Sequence, residues 1–388
     1  MQKLLPFEIE VVDIFPSVNP MGDQVAMVTN PSFDKPLSNI LLIMSPPAYK
    51  NPSISSKKKL GSSCVEISKW FSYAQSMKIY VIILNWNGKE DTLQCLGSLK
   101  EVSTPHKIVV VDNGSSDGSA AAFSAAFPKV HLIETGVNLG YAEGNNVGIR
   151  YALEEGADYI FVLNNDTVVT KDILEKFLMR DVPIQGGKAL LMDDPFKIDH
   201  LGGTWNAKEG SFKLIGANAP ASAWTNPIFL DYVCGVAIFA KAEVFKKVGL
   251  FDPRFFLFWE ESDWCFRAKK LGFAAQACPE AILFHKKSAS FSGGTPHTCY
   301  FWWRNRLLWI EKNCSVKEQK HLKKAILKES LHTFKLLLLK YLQFPFSKKT
   351  YIRRLRLRFY RALLAGVRDY YLRRFGNCPG WVIQGIKE

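Results

Sequence analysis

The stretch MKIYVIILNWNG, residues 77–88, decides the fold because a run of apolar residues stops there abruptly at a polar turn. Three further apolar runs follow it, separated by segments with the apolar spacing of helices. Short apolar strands that alternate with helices are typical of a parallel sheet covered by helices on both faces. The sequence therefore predicts an α/β domain that begins at Met77.

The same periodicity assigns the individual elements. The predicted strands are residues 79–84, 108–111, 130–134 and 159–163. The predicted helices are residues 89–100, 119–127 and 144–155, and the second of them is expected to be capped near Asp117. Strands and helices thus alternate regularly over the first half of the domain.

Polar residues end three of these strands. Asn85 follows YVIIL, Asp112 follows IVVV, and the triplet from Asn164 to Asp166 follows YIFVL. Asn and Asp are common turn formers, so an ordinary turn would explain each of these positions taken alone. In open α/β sheets, however, ligands bind outside the carboxyl ends of the strands. We therefore expect the three polar ends to converge on one ligand site.

Two phosphate-binding motifs are missing from the sequence. No GxGxxG follows the first strand, and no GxxxxGK[ST] occurs anywhere, so neither a dinucleotide fingerprint nor a P-loop is present. A phosphorylated ligand would need another countercharge. Asp166 could hold Mg²⁺ or Mn²⁺, which favour oxygen ligands and would bridge diphosphate oxygens.

The segment before Met77 differs from the rest of the chain. Residues 1–76 contain several Pro and Ser residues, a KKK run and no sustained periodicity. We expect a poorly defined N-terminal extension, and one hypothesis is that the natural translation product also begins at Met77. The sequence has no basic-then-apolar signal and no run of roughly 18 apolar residues, so a cytoplasmic location is expected.

Charge is distributed unevenly along the chain. The formal net charge is +14, and residues 303–375 hold 20 Lys or Arg against 4 Asp or Glu. Residues 311–388 are predicted to form basic amphipathic helices, interrupted at Pro345. Residues 317–375 would suit peripheral contact with an anionic membrane on the inner face of the cytoplasmic membrane. The alternative is a helical cap that packs on the preceding domain, and a nucleic-acid partner is not expected.

The cysteines and histidines do not indicate a structural metal. The 8 Cys are scattered without a CxxC pair and are expected to be reduced thiols. His285, His297, Cys278 and Cys299 have spacings that fit no common zinc pattern. A structural zinc site is therefore not expected.

Several motifs occur together in a recognisable order. They are YVIILNWNG, VVVDNGSSDGS, NLGYAEGNNVGI, NNDT and FDPRFFLFWEESDWCFRAKKLGF. Residues 77–310 with these motifs resemble glycosyltransferase family 2, and most of all its rhamnosyltransferase-type bacterial members of the GT-A fold. The resemblance implies a Rossmann-like, mostly parallel sheet flanked by helices. It also implies a nucleoside-diphosphate sugar donor and a divalent cation.

The resemblance assigns residues to the donor side. Asp112 matches the aspartate that contacts the nucleotide base, and a carboxylate there would favour uracil or thymine through their imide N–H. Asn85 and Asn164 are expected beside it. The residues that match the family's N-x-G…G-N segment, which lines the sugar-nucleotide pocket, are Asn138, Gly140, Gly144 and Asn145. Glycines there would let backbone approach the ligand closely, and packing into a helix would explain them equally well.

The expected metal ligands are Asp166 and His285. The family usually carries D-x-D at this turn, and Asn164 replaces the first aspartate here, which leaves one negative charge fewer. Substrate phosphates complete the coordination in sites of this kind. His285 matches a histidine that the family places within reach of the same metal, although a histidine at a strand end is often only structural.

The catalytic segment reads E-E-S-D where the family usually has E-D-x-D. Glu261 takes the position of the general base, with Glu260 and Asp263 as supporting groups. The neighbouring aromatic residues would desolvate these carboxylates and raise their pKa values. Arg267 could instead simply pair with Asp263 along a helix. On the acceptor side, we expect Gly235 and Trp259.

The resulting functional hypothesis is an inverting glycosyltransferase of cell-envelope polysaccharide synthesis. It would move a sugar, with rhamnose as the candidate, from a dTDP or UDP donor to a glycan or lipid-linked acceptor. Two alternatives stay open: a catalytically silent sugar-nucleotide-binding member of the same fold, suggested by the two altered acidic motifs, and a basic nucleic-acid-binding protein.

Overall fold

The computed structural model describes residues 76–286, 295–342 and 350–383. All of them belong to one compact unit, Ser68–Glu388. The expected N-terminal extension, residues 1–76, lies outside the described residues except for Ser76.

The first half of the main sheet is parallel, as predicted. Its strands are β1 (Ile79–Asn85), β2 (Lys107–Asp112), β3 (His131–Glu134) and β4 (Tyr159–Asn164). They pair in the order β3-β2-β1-β4, and each of these pairs is parallel. The helices between them are α1 (Lys89–Lys100), α2 (Ser119–Ala126) and α3 (Gly140–Glu154). These elements confirm the sequence prediction, although α3 begins at Gly140 rather than at residue 144.

The second half of the sheet is mixed. The remaining strands are β5 (Thr167–Val169), β6 (Ile184–Leu191), β7 (Gly202–Asn206), β8 (Ser211–Ile215), β9 (Ile228–Leu230), β10 (Tyr232–Val233), β11 (Ala237–Lys241) and β12 (Ala275–His285). The nine-stranded sheet continues β4-β11-β6-β12-β5, with β9 also on β12. Strand β11 runs antiparallel to both β4 and β6, whereas β12 is parallel to β6. The strand order and the helices on both faces give a GT-A-like fold.

A small second sheet and further helices complete the described structure. The second sheet has the order β10-β7-β8 and is antiparallel. The helices are α4 (Ile173–Leu178), α5 (Ala242–Val248), α6 (Glu260–Lys270), α7 (Pro296–Asn313), α8 (Val316–Leu342), α9 (Thr350–Tyr371) and α10 (Gly380–Ile383). The C-terminal region is therefore helical, as predicted. The boundary expected at residue 310 falls inside α7, and the break expected at Pro345 lies outside the described residues.

Alternating side chains of β1 explain why helices cover both faces of the sheet. Val81 belongs to a buried cluster that includes Leu96 of α1, on one face. Ile82 belongs to the opposite cluster, which includes Ile149 of α3. A strand buried on both faces reads as a continuous apolar run, which is what IYVIIL shows.

The C-terminal helices pack onto the preceding domain. A buried cluster joins Trp259 with Trp309 of α7, Leu322 of α8 and Leu363 of α9. Helices α7 and α9 also approach closely, because a Cβ on Gly366 would lie 2.4 Å from the Tyr300 carbonyl oxygen. The helical cap is thus observed. Among the residues described, no helix combines the length and the apolarity needed to cross a membrane.

Candidate active site

The carboxyl ends of β1, β2 and β4 meet at one edge of the sheet, as predicted. Asn85 is in register with Asp112 on β2, and Leu84 is in register with Asn164 on β4. Asn85 is fully buried, and its Nδ2 donates a hydrogen bond to Asp112 Oδ1 at 2.8 Å. Its Oδ1 accepts one from Thr92 Oγ1, also at 2.8 Å. Asn85 therefore holds β1, β2 and α1 together beneath the site.

Asp112 lies in the wall of an open cavity. The cavity has a volume of about 400 Å³ and is lined by Asp112, Ser115, Gly118, Ser119, Ala120, Ala121, Ser124, Leu132 and Glu134. Asp112 Oδ2 accepts a hydrogen bond from the Ser115 backbone N–H at 3.1 Å. Helix α2 begins at Ser119 on the same cavity, and a helix N-terminus favours anionic ligands. The cap predicted near Asp117 is corrected: Gly118 is the N-cap residue and no side chain caps the helix there, while Asp117 accepts a hydrogen bond from the Ser119 N–H at 3.1 Å.

The glycines of the N-x-G…G-N segment pack closely against other elements of the domain. Asn138 Oδ1 accepts a hydrogen bond from the Gly140 N–H at 2.8 Å. Gly140 has a φ of 82°, and a Cβ there would lie 2.5 Å from the Phe256 ring. A Cβ on Gly144 would lie 2.5 Å from Leu84. These glycines let α3 pack against β1 and against Phe256, and their place in the sugar-nucleotide pocket stays a prediction.

Two buried asparagines of α3 have different surroundings. Asn145 donates to the Tyr141 carbonyl at 2.9 Å, while its Oδ1 is buried without a hydrogen-bond partner. Asn146 bonds both backbone groups of Phe251, donating at 2.9 Å and accepting at 3.0 Å. Asn146 is therefore structural, whereas Asn145 keeps an acceptor that a ligand could use.

Tyr141 connects the donor side of the site with the acceptor side. Its hydroxyl lies 2.9 Å from Asn164 Oδ1 and 2.9 Å from the Gly235 carbonyl oxygen. Burial raises the pKa of Tyr141 well above its usual value, and the carboxylates of Glu260 and Asp166 raise it further. The phenol therefore stays protonated and acts as a hydrogen-bond donor between the two sides.

Asp166 and His285 lie together, as predicted for a metal site. His285 Nε2 is 3.4 Å from Asp166 Oδ1, and His285 Nδ1 is 2.9 Å from Asp199 Oδ2. Burial lowers the pKa of His285, but the two carboxylates outweigh burial and raise the pKa to about 9. Asp166 Oδ1 is itself buried, and among the described residues it accepts no well-aligned hydrogen bond besides its ion pair with His285. A buried carboxylate oxygen of this kind is a suitable ligand for a hard divalent cation.

The described side chains would not complete the coordination of a metal ion by themselves. In the part of the chain that the structure describes, no group of three or more His, Cys, Asp or Glu side chains could hold a metal ion. Asp166 and His285 would therefore need oxygen ligands from a substrate diphosphate, and His285 would have to lose its proton. Asp199 would fix the imidazole through Nδ1, as carboxylates commonly do for ligating histidines.

Helix α6 begins with two adjacent carboxyl groups that are largely shielded from solvent. Glu260 is 3% exposed, and Glu261 is partly exposed with its Oε2 buried. Burial raises the pKa of Glu260, and the Glu261 carboxylate raises it further. Burial also raises the pKa of Glu261, and backbone N–H groups offset part of this increase. A shielded carboxyl group with a raised pKa is suited to act as a general base.

The two residues expected on the acceptor side lie next to this pair. A Cβ on Gly235 would lie 3.3 Å from Glu261 Cγ and 3.4 Å from Glu261 Oε1. Trp259 is 4% exposed, and its ring packs 5.0 Å from Trp302 and 5.6 Å from Phe212, centroid to centroid. Trp259 is therefore mainly a packing residue, although its Nε1–H has no hydrogen-bond partner.

Asp263 has different contacts from Glu260 and Glu261. It is fully buried, and its carboxylate lies 2.9 Å from Arg267 Nε, Lys312 Nζ and Asn313 Nδ2. The expected supporting role is corrected, because these three donors occupy its oxygens. Asp263 instead ties α6 to the end of α7, and the helical pair with Arg267 is observed.

Sequence reasoning missed three contributors to the site. Asp199 lies in KIDHLGG, which carries no motif, so only its 2.9 Å contact with His285 reveals it. Tyr141 is the one phenol of NLGYAEGNN and could have been singled out on that ground. Asn305 lies in WWRNRLL, where the sequence predicts no site residue, and it contacts the backbone that precedes α6.

Comparisons with known proteins agree with this geometry. Residues 80–239 match the family model described as glycosyl transferase family 2. The chain is 25% identical over 246 residues to the dTDP-rhamnosyl transferase RfbF of Shigella flexneri, covering 61% of this chain and 80% of that protein. It is 25% identical over 244 residues to the N-acetylglucosaminyl-diphospho-decaprenol L-rhamnosyltransferase of Mycobacterium tuberculosis, covering 53% of this chain and 79% of that protein.

One solved structure similar to this chain is a mannosyltransferase from Pyrobaculum calidifontis, determined in complex with GDP-Man and Mn²⁺. It is 14% identical with a TM-score of 0.45, and the match covers 81% of this chain and 94% of that one. The family model and the order of the motifs carry the assignment. The chain therefore contains a glycosyltransferase family 2 domain and, within that family, is similar to rhamnosyltransferases.

Proposed function

We propose that this chain is an inverting, metal-dependent glycosyltransferase. It would move a sugar from a nucleoside diphosphate to a hydroxyl of a glycan or lipid-linked acceptor in cell-envelope polysaccharide synthesis. The observation that carries the proposal is that the carboxyl groups of Asp166, Glu260 and Glu261 all act on buried Tyr141. They lie at the sheet edge where β2 ends at Asp112, in the wall of the cavity.

In the proposed reaction, Glu261 accepts the proton of the acceptor hydroxyl while that oxygen attacks the anomeric carbon. The attack comes from the face opposite the nucleoside diphosphate, so a single displacement inverts the anomeric centre. Glu260 would stay protonated beside it, because burial and the Glu261 carboxylate both raise the pKa of Glu260. A Mg²⁺ or Mn²⁺ ion held by Asp166 and His285 would stabilise the charge on the leaving diphosphate.

The proposed donor is a dTDP or UDP sugar, with rhamnose as the first candidate. Asp112 would accept a hydrogen bond from the imide N–H of thymine or uracil, which cytosine lacks. RfbF is a dTDP-rhamnosyl transferase by name, which supports the same donor. Residues that shape the donor side by holding its backbone are Asn85, Asn138, Gly140, Gly144, Asn145 and Asn164.

The proposed acceptor is lipid-linked, and the C-terminal helices would lie on an anionic membrane surface. One face of α8 carries four exposed apolar side chains at helical spacing, Leu327, Leu331, Phe334 and Leu338. Exposed lysines flank this face at Lys320, Lys324, Lys328 and Lys335. Apolar side chains bordered by lysines are typical of helices that lie in a membrane interface. The related mycobacterial enzyme is named for a decaprenol-linked acceptor.

A donor screen tests the proposal. The full-length protein is incubated with Mn²⁺ or Mg²⁺ and a panel of uridine, thymidine and guanosine diphosphate sugars, and both binding and release of nucleoside diphosphate are measured. We expect metal-dependent release from a uridine or thymidine donor, lost in Asp166→Ala. Binding without release, even with lipid-linked acceptor present, would favour the silent alternative. Absence of binding, together with steeply salt-dependent binding to arbitrary DNA, would favour the nucleic-acid alternative.

A further inference from the structure

The backbone just before α6 is strained. Phe256, Phe258 and Trp259 have φ angles of 64°, 68° and 78°, a range of backbone angles that residues other than glycine rarely adopt. Three such residues within four positions persist only where the surroundings hold them. Because Glu260 and Glu261 follow directly, the positions of both carboxyl groups depend on this backbone.

Asn305 and Arg304 of α7 contact this segment from one side. Asn305 Nδ2 lies 2.8 Å from the Phe255 carbonyl oxygen, 2.7 Å from that of Leu257 and 2.9 Å from that of Phe258. Arg304 Nη2 donates to the Phe255 carbonyl at 2.8 Å. Both side chains are fully buried, so no water competes for these carbonyl groups.

Arg304 is itself fixed in place. Its Nε donates to Asn305 Oδ1 at 3.0 Å, which orients the amide so that its NH₂ group faces the carbonyl oxygens. Its guanidinium lies 4.9 Å from the centre of the Phe301 ring, and its Nη1 donates to the Gly376 carbonyl at 2.5 Å. The chain beyond α9 thus contributes to holding the pair.

The start of α3 contacts the same backbone from the other side. The Phe256 carbonyl oxygen accepts hydrogen bonds from the Tyr141 N–H at 2.6 Å and the Ala142 N–H at 3.3 Å. The Tyr141 hydroxyl reaches Gly235, which lies against Glu261. Residues 255–259 are therefore held between α7 and the start of α3.

We propose that Arg304 and Asn305 are positioning residues that hold the strained segment 255–259 and thereby aim Glu261 at the acceptor. This inference rests on the proposed function, because it assigns the pair a role in turnover. It predicts that loosening the pair lowers the rate of sugar transfer and leaves donor binding intact, because Asp112 and Asp166 lie on other elements.

A matched pair of variants on one helix tests the proposal. Arg306 lies on α7 as well, is 5% exposed, and donates to the carbonyl oxygens of Glu209 and Gly210 rather than to segment 255–259. Arg304→Lys and Arg306→Lys therefore make the same chemical change at similarly buried guanidinium groups. We expect kcat to fall by about tenfold to hundredfold more in Arg304→Lys, with the donor Kd within twofold of wild type in both.

Amide hydrogen exchange provides a readout that does not depend on activity. Faster exchange of residues 254–259 is expected in Arg304→Lys, and faster exchange around residues 206–211 in Arg306→Lys. If Arg304→Lys folds poorly, Asn305→Ser replaces it in the test. This variant retains Arg304, but the serine side chain is too short to reach the three carbonyl oxygens, so we expect the same faster exchange of residues 254–259.

The outcomes distinguish a failure of the positioning role of Arg304 and Asn305 from a failure of the proposed transferase activity. Equal loss of kcat in the two lysine variants, or unchanged exchange of residues 254–259 in both Arg304→Lys and Asn305→Ser, would overturn the inference. A wild-type protein that turns over no donor would contradict the proposed function instead, and the exchange measurement would still decide whether the pair holds the segment.

Discussion

Glu260 and Glu261 differ in their neighbours rather than in their chemistry. Burial at the start of α6 raises the pKa of both; the Glu261 carboxylate raises the pKa of Glu260 further, whereas backbone N–H groups offset part of the increase for Glu261. The E-E-S-D spelling predicted the position of the base from the order of the motif. It could not predict which carboxyl keeps the proton, because that depends on burial and on hydrogen bonds made by the folded backbone.

The pKa of Glu261 leads to a prediction on pH dependence. The base must be ionised to accept a proton, and burial raises its pKa, so activity is present above the raised pKa and lost as the pH falls through it. We expect the acidic limb of the kcat profile, measured on metal-loaded protein, to lie above the ordinary glutamate range of about 4.3. Full activity down to about pH 4.3 would contradict the assignment of a desolvated base.

Gly235 gives a prediction about the space around the base. An added Cβ would lie 3.3 Å from Glu261 Cγ, so Gly235→Ala should displace the carboxylate by a few tenths of an ångström. We expect kcat to fall by roughly tenfold with an unchanged donor Kd, since a small misplacement of a reacting group costs rate. Steady-state kinetics and calorimetric binding measure the two quantities.

Gly97→Ala is the control for this substitution. Gly97 lies within α1, and among the described residues no atom beyond its chain neighbours and the backbone of its own helix lies within 4 Å of an added Cβ. Alanine there should therefore leave kcat unchanged and stabilise the helix by about 0.5–1 kcal/mol. If Gly235→Ala were as active as Gly97→Ala, Glu261 would not be the group that must fit beside Gly235.

At the scale of elements, strand ends could be predicted and strand directions could not. The ends of β1, β2 and β4 were readable because an apolar run stops there at Asn85, Asp112 and Asn164. Strand β11 runs antiparallel between β4 and β6, although AIFAK reads like any buried strand. A run buried on both faces carries no mark of its direction, so the mixed half of the sheet appears only in the structure.

The exposed face of α8 leads to a prediction on membrane contact. Leu331 is 55% exposed and Leu338 48% exposed on the same side of the helix. Leu331→Glu combined with Leu338→Glu should weaken binding to vesicles that contain anionic phospholipid by at least about tenfold, because it removes apolar burial and adds negative charge. Vesicle co-sedimentation at several ionic strengths measures this.

Leu271→Glu is the matched control, because Leu271 is 58% exposed just after α6 and does not lie on α8. It should bind vesicles as wild type does. The membrane role of α8 would be contradicted if wild type, the double variant and Leu271→Glu bound vesicles equally well. Vesicle binding that does not depend on the charge of the lipids would contradict it too.

For the whole molecule, the basic tail predicted from residues 311–388 belongs to the same compact unit as the transferase domain. Trp309, Leu322 and Leu363 share one buried cluster with Trp259, next to the catalytic pair. Charge and helical periodicity showed that this region is basic and helical. They could not show that α7 and α9 hold the segment before α6, because that depends on contacts between residues far apart in sequence, such as Asn305 with Phe255.

The central claim is that one sheet edge binds a sugar nucleotide and that Glu261 drives its transfer. The most direct measurement compares wild type with Glu261→Gln, using calorimetric donor binding and single-turnover transfer to a lipid-linked acceptor in the presence of Mn²⁺. We predict an unchanged donor Kd and a transfer rate lower by about 10²–10⁴-fold, the range that general bases contribute. Transfer by Glu261→Gln at the wild-type rate would contradict the account.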